Sequence, residues 1–193
     1  LAPYTQSILC NDLIREAFSQ HVQTPFAPQT IRILQEFQKS LQKQVSQTYS
    51  VEERGHLMSL VFWLRPAHLK EMQEQIFSNL MKNQFMFPRG HVLHIVPSNV
   101  DTMFNYSWAF SFLAGNCNIV RLPYRDQRNR IQELIIQSLR EVLSAPENQN
   151  YAQTNRFITY PSDALYTQEL SKHADVRTIW GGNQTVQHIC AMP

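Results

Sequence analysis

The chain has 193 residues, enough for one substantial hydrophobic core or for one domain with a helical appendage. Its 17 Lys and Arg residues nearly balance its 15 Asp and Glu residues, which leaves a net charge of +2. This charge excludes a general attraction to nucleic acid or to an anionic membrane, so no nucleic-acid partner is expected. The sequence has no run of about 18 apolar residues, so no membrane span is predicted.

The cysteines and the N-terminus suggest a protein of a reducing compartment. Cys10, Cys117 and Cys190 are too widely spaced to predict a disulfide framework or a metal-binding pair. The N-terminal residues lack the basic start and the long apolar centre of a secretory signal. A cytoplasmic location is therefore expected. The chain starts at Leu1 and stops at Pro193, just after a helical pattern begins, and we interpret it as a piece of a longer protein.

Residues 1–87 are predicted to form a helical region. Apolar stripes predict one helix opening at Asn11 or Asp12 and running through Phe18, a second over 30–49, a third between Ser50 and Pro66, and a fourth over 67–84. Ser50 with Glu53 three residues later is the pattern of a capping box. This region alone indicates no function.

Residues 88–193 are predicted to form a second, incomplete domain of the α/β class, with a doubly wound, mostly parallel sheet. The expected strands cover 91–97, 117–121, 154–160 and 176–180; the expected helices cover 101–114, 126–144, 162–173 and a segment from Asn183; an Asn- and Pro-rich loop covers 145–153. Ligands of such sheets bind beyond the carboxyl ends of the strands. The five glycines form no G-x-G-x-x-G fingerprint, so a dinucleotide would be held by another device.

The first predicted strand ends in the turn Pro97-Ser98-Asn99. The side-chain amide of Asn99 can donate to an oxyanion, and the backbone N–H groups of the turn can assist it. The alternative is that Asn99 only caps the following helix, as Asn often does.

The second predicted strand ends in a basic segment that holds Arg121, Pro123, Tyr124 and Arg125. Two guanidinium groups and a phenol just beyond a strand end can bind a phosphate, because the planar fork of Arg matches phosphate oxygens. The alternative is a solvated basic loop without a ligand.

The fourth predicted strand ends in Trp180-Gly181-Gly182-Asn183. Two glycines allow a ligand to approach the backbone closely, and the N-terminus of the following helix favours an anion. The alternative is a tight turn that binds nothing.

The remaining reactive side chains predict no metal site and no nucleophile. His91 and His94 have opposite parity on a strand, so their side chains point to opposite faces of the sheet. Cys117 begins an apolar strand and is predicted to be a core residue rather than a nucleophile. Cys190 lies on a helical face without an identifiable His or acid partner.

These motifs together resemble the nucleotide-binding core of the aldehyde dehydrogenase superfamily, and most closely its acyl-CoA reductase branch, typified by the fatty-acid reductase of bacterial luminescence operons. The resemblance covers about residues 88–190, and the order and spacing of the motifs agree. The matching pieces are Pro97-Ser98-Asn99, Gly115-Asn116, Arg121 with Pro123, and Trp180-Gly181-Gly182.

The resemblance implies that NAD(P) lies across the strand ends and that an acyl thioester is reduced to an aldehyde through a cysteine-bound acyl enzyme. It implies that Asn99 helps to form an oxyanion hole, that Arg121 lies beside the adenosine ribose, and that Gly181 and Gly182 line the cofactor. The other residues expected at the cofactor are Pro97, Ser98, Pro123, Tyr124, Arg125 and Asn183. The implied partners are an acyl-CoA or acyl-carrier substrate, an acyl-protein synthetase and further copies of the full-length protein.

The chain departs from the family pattern in three places. Asp101 replaces the proline that commonly follows two residues after the Asn. The acid that accepts the ribose hydroxyls in NAD-preferring members is replaced near Tyr124, and Arg121 and Arg125 stand beside it, so NADP, as NADPH, is expected in preference to NAD. The nucleophilic cysteine of the family is expected beyond Pro193, so this chain would hold the cofactor without being active alone. The alternative hypothesis is a non-catalytic nucleotide-binding or interaction module that retains the fold.

Overall fold

The computed structural model describes residues 18–46, 50–97, 99–123, 130–160 and 164–192. Its helices are α1 (Pro28–Ser46), α2 (Val51–Trp63), α3 (Pro66–Ser78), α4 (Met103–Leu113), α5 (Arg130–Leu143), α6 (Gln149–Thr154), α7 (Ala164–His173) and α8 (Asn183–Cys190), and its strands are β1 (His91–Ile95), β2 (Cys117–Leu122), β3 (Asn155–Thr159) and β4 (Val176–Ile179). Within these residues, no helix has the length and apolarity needed to cross a membrane.

Helices α1, α2 and α3 form where the sequence predicted the second, third and fourth helices, whereas the first predicted helix, apart from its last residue Phe18, lies outside the described residues. Ser50 caps α2 by accepting a hydrogen bond from the backbone N–H of Glu53 at 3.3 Å, which confirms the predicted cap. Pro66 opens α3, a position where its missing N–H costs nothing. The prediction that this helix reaches residue 84 was wrong. It ends at Ser78 with Asn79 as its C-cap residue, because the next backbone N–H, that of Leu80, donates to Phe77 three residues back and no longer to a carbonyl four residues back.

The sheet has four parallel strands in the order β3-β2-β1-β4. The chain first runs outward from β1 through β2 to β3, and then returns to place β4 on the other side of β1. This reversal makes the gap between β1 and β4 the switch point, the crevice where doubly wound sheets bind ligands. The predicted class of fold is therefore confirmed.

Each face of the sheet is covered by helices. The larger core joins α1, α2, α4 and α5 to one face, and it includes a T-shaped contact of Phe37 with Trp108 at 6.0 Å between ring centroids. The smaller core lies on the other face, where Leu170 of α7 and Ile189 of α8 pack near Leu93 and Ile119. The sheet is consequently buried on both faces, as its apolar strands require.

The segment predicted as a loop over 145–153 instead contains a 3-10 turn, Pro146–Asn148, followed by α6. Asn148 is fully buried and donates to the carbonyl of Val142 at 2.8 Å, while its oxygen accepts from Gln29 and Arg32 of α1. These tertiary bonds hold the segment in a helical turn although its composition favours a loop.

Candidate functional site

The carboxyl ends of β1, β2 and β4 meet at one edge of the sheet, because all the strands are parallel. Pro97 follows β1, Pro123 follows β2, and Trp180 follows β4. The backbone N–H of Trp180 donates to the carbonyl of Ile95 at 2.9 Å, which fastens the turn after β4 to the end of β1. The candidate residues therefore share the edge that holds the switch point.

Asn99 lies beyond β1 with its side chain exposed. The following helix, α4, begins at Met103 and has Thr102 at its N-cap position. Asn99 is thus not the cap of this helix, and the alternative role considered for it from the sequence is wrong. Ser98 lies outside the described residues, as do Tyr124 and Arg125, and their expected roles stay predictions.

Arg121 is held in a fixed environment near the end of β2. Its guanidinium carbon lies 4.9 Å from the ring centroid of Tyr160, a cation–π contact that orients the side chain. The Tyr160 hydroxyl lies 3.0 Å from Thr167 Oγ1. Burial raises the pKa of Tyr160, against smaller opposing effects of Thr167 and Arg121, so the ring is neutral at physiological pH. Tyr160 therefore contacts Arg121 through a neutral ring.

Gly182 caps α8 with φ −70° and ψ 165°, a conformation that other residues adopt readily. A Cβ atom added there would meet no atom within 4 Å. Neither the backbone nor the packing of the described residues requires glycine at this position. The open space lies beside the start of α8, next to the exposed Asn183. A ligand that approaches the backbone closely would fit this position.

Gly181 is more confined than its neighbour. A Cβ atom there would lie 3.2 Å from the side chain of Thr185, tighter than an ordinary van der Waals contact. Glycine at 181 therefore also serves the packing of the first turn of α8, whereas glycine at 182 leaves free space.

Five polar side chains form a hydrogen-bonded series, the polar relay, that crosses the sheet from β4 to β3. Trp180 Nε1 donates to Ser107 Oγ at 2.9 Å, and that hydroxyl lies 2.8 Å from His94 Nδ1. His94 Nε2 lies 3.0 Å from Asn118 Oδ1. The side-chain amide of Asn118 donates to Asn155 Oδ1 at 2.8 Å.

Sequence reasoning missed the polar relay. The parity of His91 and His94 predicted only that their side chains point to opposite faces of the sheet. His94 and Asn118 were visible as polar residues inside apolar strands. Their pairing depends on the register, in which Val92, Asn118 and Asn155 lie side by side across three strands. A single sequence does not give the register between parallel strands.

The described cysteines, Cys117 and Cys190, are free and lie in different environments. Cys117 is buried, as predicted, and burial with a contribution from Asp175 raises its pKa to about 11, which keeps it a thiol. Cys190 is exposed on α8. Where the structure is described, no group of three His, Cys, Asp or Glu side chains is placed to hold a metal ion.

Solved structures with a similar fold are enzymes of the aldehyde dehydrogenase family. Glyceraldehyde-3-phosphate dehydrogenase GapN from Methanocaldococcus jannaschii DSM 2661, complexed with NADP, has a TM-score of 0.68 and 10% identity, covering 98% of this chain and 45% of that chain. PnpE from Pseudomonas sp. WBC-3 has a TM-score of 0.58 and 17% identity, covering 92% of this chain and 39% of that chain. The fold is therefore that of an aldehyde dehydrogenase, over less than half the length of either neighbour.

The family model described as Acyl-CoA reductase (LuxC) matches residues 12–192. The chain belongs to this family of acyl-CoA reductases, which confirms the resemblance seen in the motifs. A search of curated proteins found no match.

Proposed function

We propose that this chain is the cofactor-binding portion of an enzyme that reduces an acyl-CoA or acyl-protein thioester to an aldehyde. The observation that carries the proposal is the family match over residues 12–192. NADPH, when bound, supplies the hydride. From the family pattern we place the acyl-bearing cysteine beyond Pro193, and Cys117, a buried thiol on β2, is not suited to replace it. A cytoplasmic location, an oligomeric full-length enzyme and an acyl-protein synthetase partner belong to the same proposal.

Asn99 is the proposed oxyanion donor. Negative charge develops on the acyl oxygen when hydride adds to the thioester carbon, and a fixed amide N–H can stabilise that charge. The exposed position of Asn99 after β1, outside the N-cap position of α4, which Thr102 occupies, supports this role.

The cofactor is proposed to lie across the strand ends. Gly182 offers open space beside the start of α8, where the backbone can approach a pyrophosphate. Arg121, held over the Tyr160 ring, is proposed to bind the adenosine 2′-phosphate, which gives the preference for NADPH over NADH. The further proposed contacts are Pro97, Ser98, Pro123, Tyr124, Arg125, Gly181 and Asn183.

Titration of the chain with NADPH and NADH, followed by nucleotide fluorescence, tests the proposal. We expect NADPH to bind more tightly. Arg121→Ala removes a charge-assisted contact worth about 1.5–3 kcal/mol, so NADPH affinity should fall about 10- to 100-fold while NADH affinity changes little.

Arg65→Ala is the matched control. Arg65 also lies over an aromatic ring, 3.9 Å from the Phe62 centroid, but it belongs to the helical region. Its substitution should leave both affinities unchanged. Equal losses of NADPH and NADH in Arg121→Ala would contradict the 2′-phosphate assignment, and binding of neither nucleotide would contradict the cofactor role of the chain.

The second candidate is a non-catalytic nucleotide-binding or protein-interaction module. Asp101 favours it, because this residue replaces the proline of the family turn beside Asn99. An assay of the full-length protein for NADPH oxidation with an acyl-CoA separates the two. NADPH binding without oxidation would favour the module.

A further inference from the structure

We propose that Trp180 forms a fixed aromatic wall of the cofactor cleft, the crevice at the carboxyl ends of β1 and β4. Ser107, His94 and Asn118 are then positioning residues that hold its indole in place. The inference rests on the proposed function, since it assumes that a nicotinamide dinucleotide occupies the edge of the sheet.

Trp180 is placed to act as a wall. It follows β4 at the switch point, and its backbone N–H is bonded to Ile95 at the end of β1. The residue is 41% exposed, although its indole N–H donates inward to Ser107. The polar edge of the ring is thus satisfied inside the protein, which leaves apolar ring surface for a planar ligand.

The direction of each hydrogen bond in the polar relay follows from Asn118. Its amide nitrogen donates both to the carbonyl of Asn116 at 2.9 Å and to Asn155 at 2.8 Å, so its side-chain oxygen is the acceptor for His94. His94 must then carry its hydrogen on Nε2, and its Nδ1 accepts from the Ser107 hydroxyl. The Ser107 oxygen is left to accept from Trp180.

The far end of the polar relay is anchored just as fully. Asn155 Oδ1 also accepts from Trp108 Nε1 at 2.8 Å, and its amide nitrogen donates to Tyr151 O at 2.8 Å and to Thr154 Oγ1 at 3.0 Å. A fully satisfied series of buried groups has one low-energy arrangement, so it restricts the rotation of the indole at its exposed end. A restricted ring loses little entropy when a ligand stacks on it.

The open space at Gly182 supports the same assignment. Two residues after Trp180, a Cβ atom would meet nothing within 4 Å. The turn therefore has an exposed aromatic ring at residue 180 and open space beside the backbone at residue 182. A planar ring with an attached phosphate is the chemistry that this combination fits.

The experiment uses the full chain in a Trp63→Phe background, so that Trp180 and the fully buried Trp108 are the remaining tryptophans. Nucleotide affinity is measured by calorimetry, and the accessibility of Trp180 by acrylamide quenching. Trp180→Leu removes the stacking surface and should lower NADPH affinity about 10-fold. Trp180→Phe keeps a ring but loses the N–H donor. It should lower NADPH affinity about 3-fold without disturbing the core.

Ser107→Ala breaks the polar relay from within. We expect weaker NADPH binding, by about 3-fold, and stronger acrylamide quenching of Trp180 because the indole is no longer tethered. Ser138→Ala is the matched control, since it removes a fully buried hydroxyl on the same face of the sheet but outside the polar relay. It should change neither affinity nor quenching.

The outcomes separate the two proposals. If the Trp63→Phe protein binds neither NADPH nor NADH, the proposed function and this inference are both wrong. If the Trp63→Phe protein binds NADPH and its Trp180→Leu variant binds NADPH equally well, Trp180 does not form a wall of the cofactor cleft. The proposed function is unaffected by that result. Unchanged affinity in Trp180→Phe, together with unchanged quenching in Ser107→Ala, overturns the positioning role alone.

Discussion

At the scale of single residues, a substitution at Gly182 should change ligand affinity while changing stability little. Its φ of −70° and the empty space around an added Cβ mean that alanine fits without strain. Gly182→Ala should leave the free energy of unfolding within about 1 kcal/mol of wild type, because a lost N-cap preference opposes a gain from the less flexible unfolded chain. NADPH affinity should fall about 10-fold, because the methyl group occupies the space proposed for the cofactor.

Urea denaturation and nucleotide titration measure the two effects in Gly182→Ala. Gly181→Ala is the contrasting variant, because its Cβ would lie 3.2 Å from Thr185 and should lower stability as well. Unchanged nucleotide affinity in Gly182→Ala would show that the cofactor does not use this space.

His94 should make the stability of the fold depend on pH. Burial lowers its pKa from 6.5 to about 4, against a smaller opposing effect of Asn118. As the pH falls below about 6.5, the unfolded chain binds a proton at this histidine and the folded chain does not, so unfolding is favoured. The contribution is complete above pH 6.5 and is lost towards pH 4, with a total of about 3 kcal/mol.

Urea denaturation between pH 7 and pH 4 measures this slope. His94→Gln should reduce it, because glutamine does not titrate. His56→Gln replaces an exposed histidine on α2 and should keep the wild-type slope. The same slope in wild type and His94→Gln would mean that His94 is not the group responsible.

At the scale of elements, two glycines should respond to alanine in opposite ways. Gly115 ends α4 with φ +84°, and an added Cβ would lie 2.1 Å from the carbonyl oxygen of Gln23. Gly115→Ala should therefore cost more than about 2 kcal/mol, because both the left-handed backbone and the contact are strained. Gly55 lies inside α2 with free space around it, so Gly55→Ala should stabilise the protein by about 0.5–1 kcal/mol.

Thermal and urea unfolding of the two variants provide the measurement. Each variant serves as the control of the other, since the change is the same methyl group. A small effect of Gly115→Ala would show that the connection of α4 to β2 can shift away from Gln23.

Elements were predictable from the sequence where local chemistry decides them. The strands beginning at His91 and Cys117 and the cap at Ser50 follow from apolar runs and from a hydroxyl placed three residues before Glu53. The helix α6 was not predictable, because it is held by bonds from Asn148 to residues more than 100 positions away in the sequence.

The candidate site shows the same division. Parallel topology predicted that Asn99, Arg121 and Gly182 would share one edge of the sheet. The contact of Arg121 with Tyr160 and the polar relay depend on how neighbouring strands align, which no local pattern encodes. The sequence therefore predicts the edge of the sheet at which the candidate residues lie. It does not predict which side chains hold them in position.

At the scale of the whole molecule, the helical region and the sheet share one core. Phe37 of α1 is fully buried and packs edge-on against Trp108 of α4, and the Trp108 indole N–H donates to Asn155 at the start of β3. The proposed boundary near residue 87 should therefore mark a change of architecture rather than a division between independently folding units. We expect one cooperative unfolding transition.

Phe37→Ala tests this expectation. Loss of the buried ring should lower the free energy of unfolding by about 3–5 kcal/mol, and the midpoint should move equally in far-ultraviolet circular dichroism and in tryptophan fluorescence. Phe87→Ala, which truncates a residue that is 76% exposed, should leave both midpoints in place. If the two probes separated in Phe37→Ala, the helices would unfold without the sheet. NADPH binding would then survive the loss of α1, because the sheet alone carries the strand ends that form the proposed site.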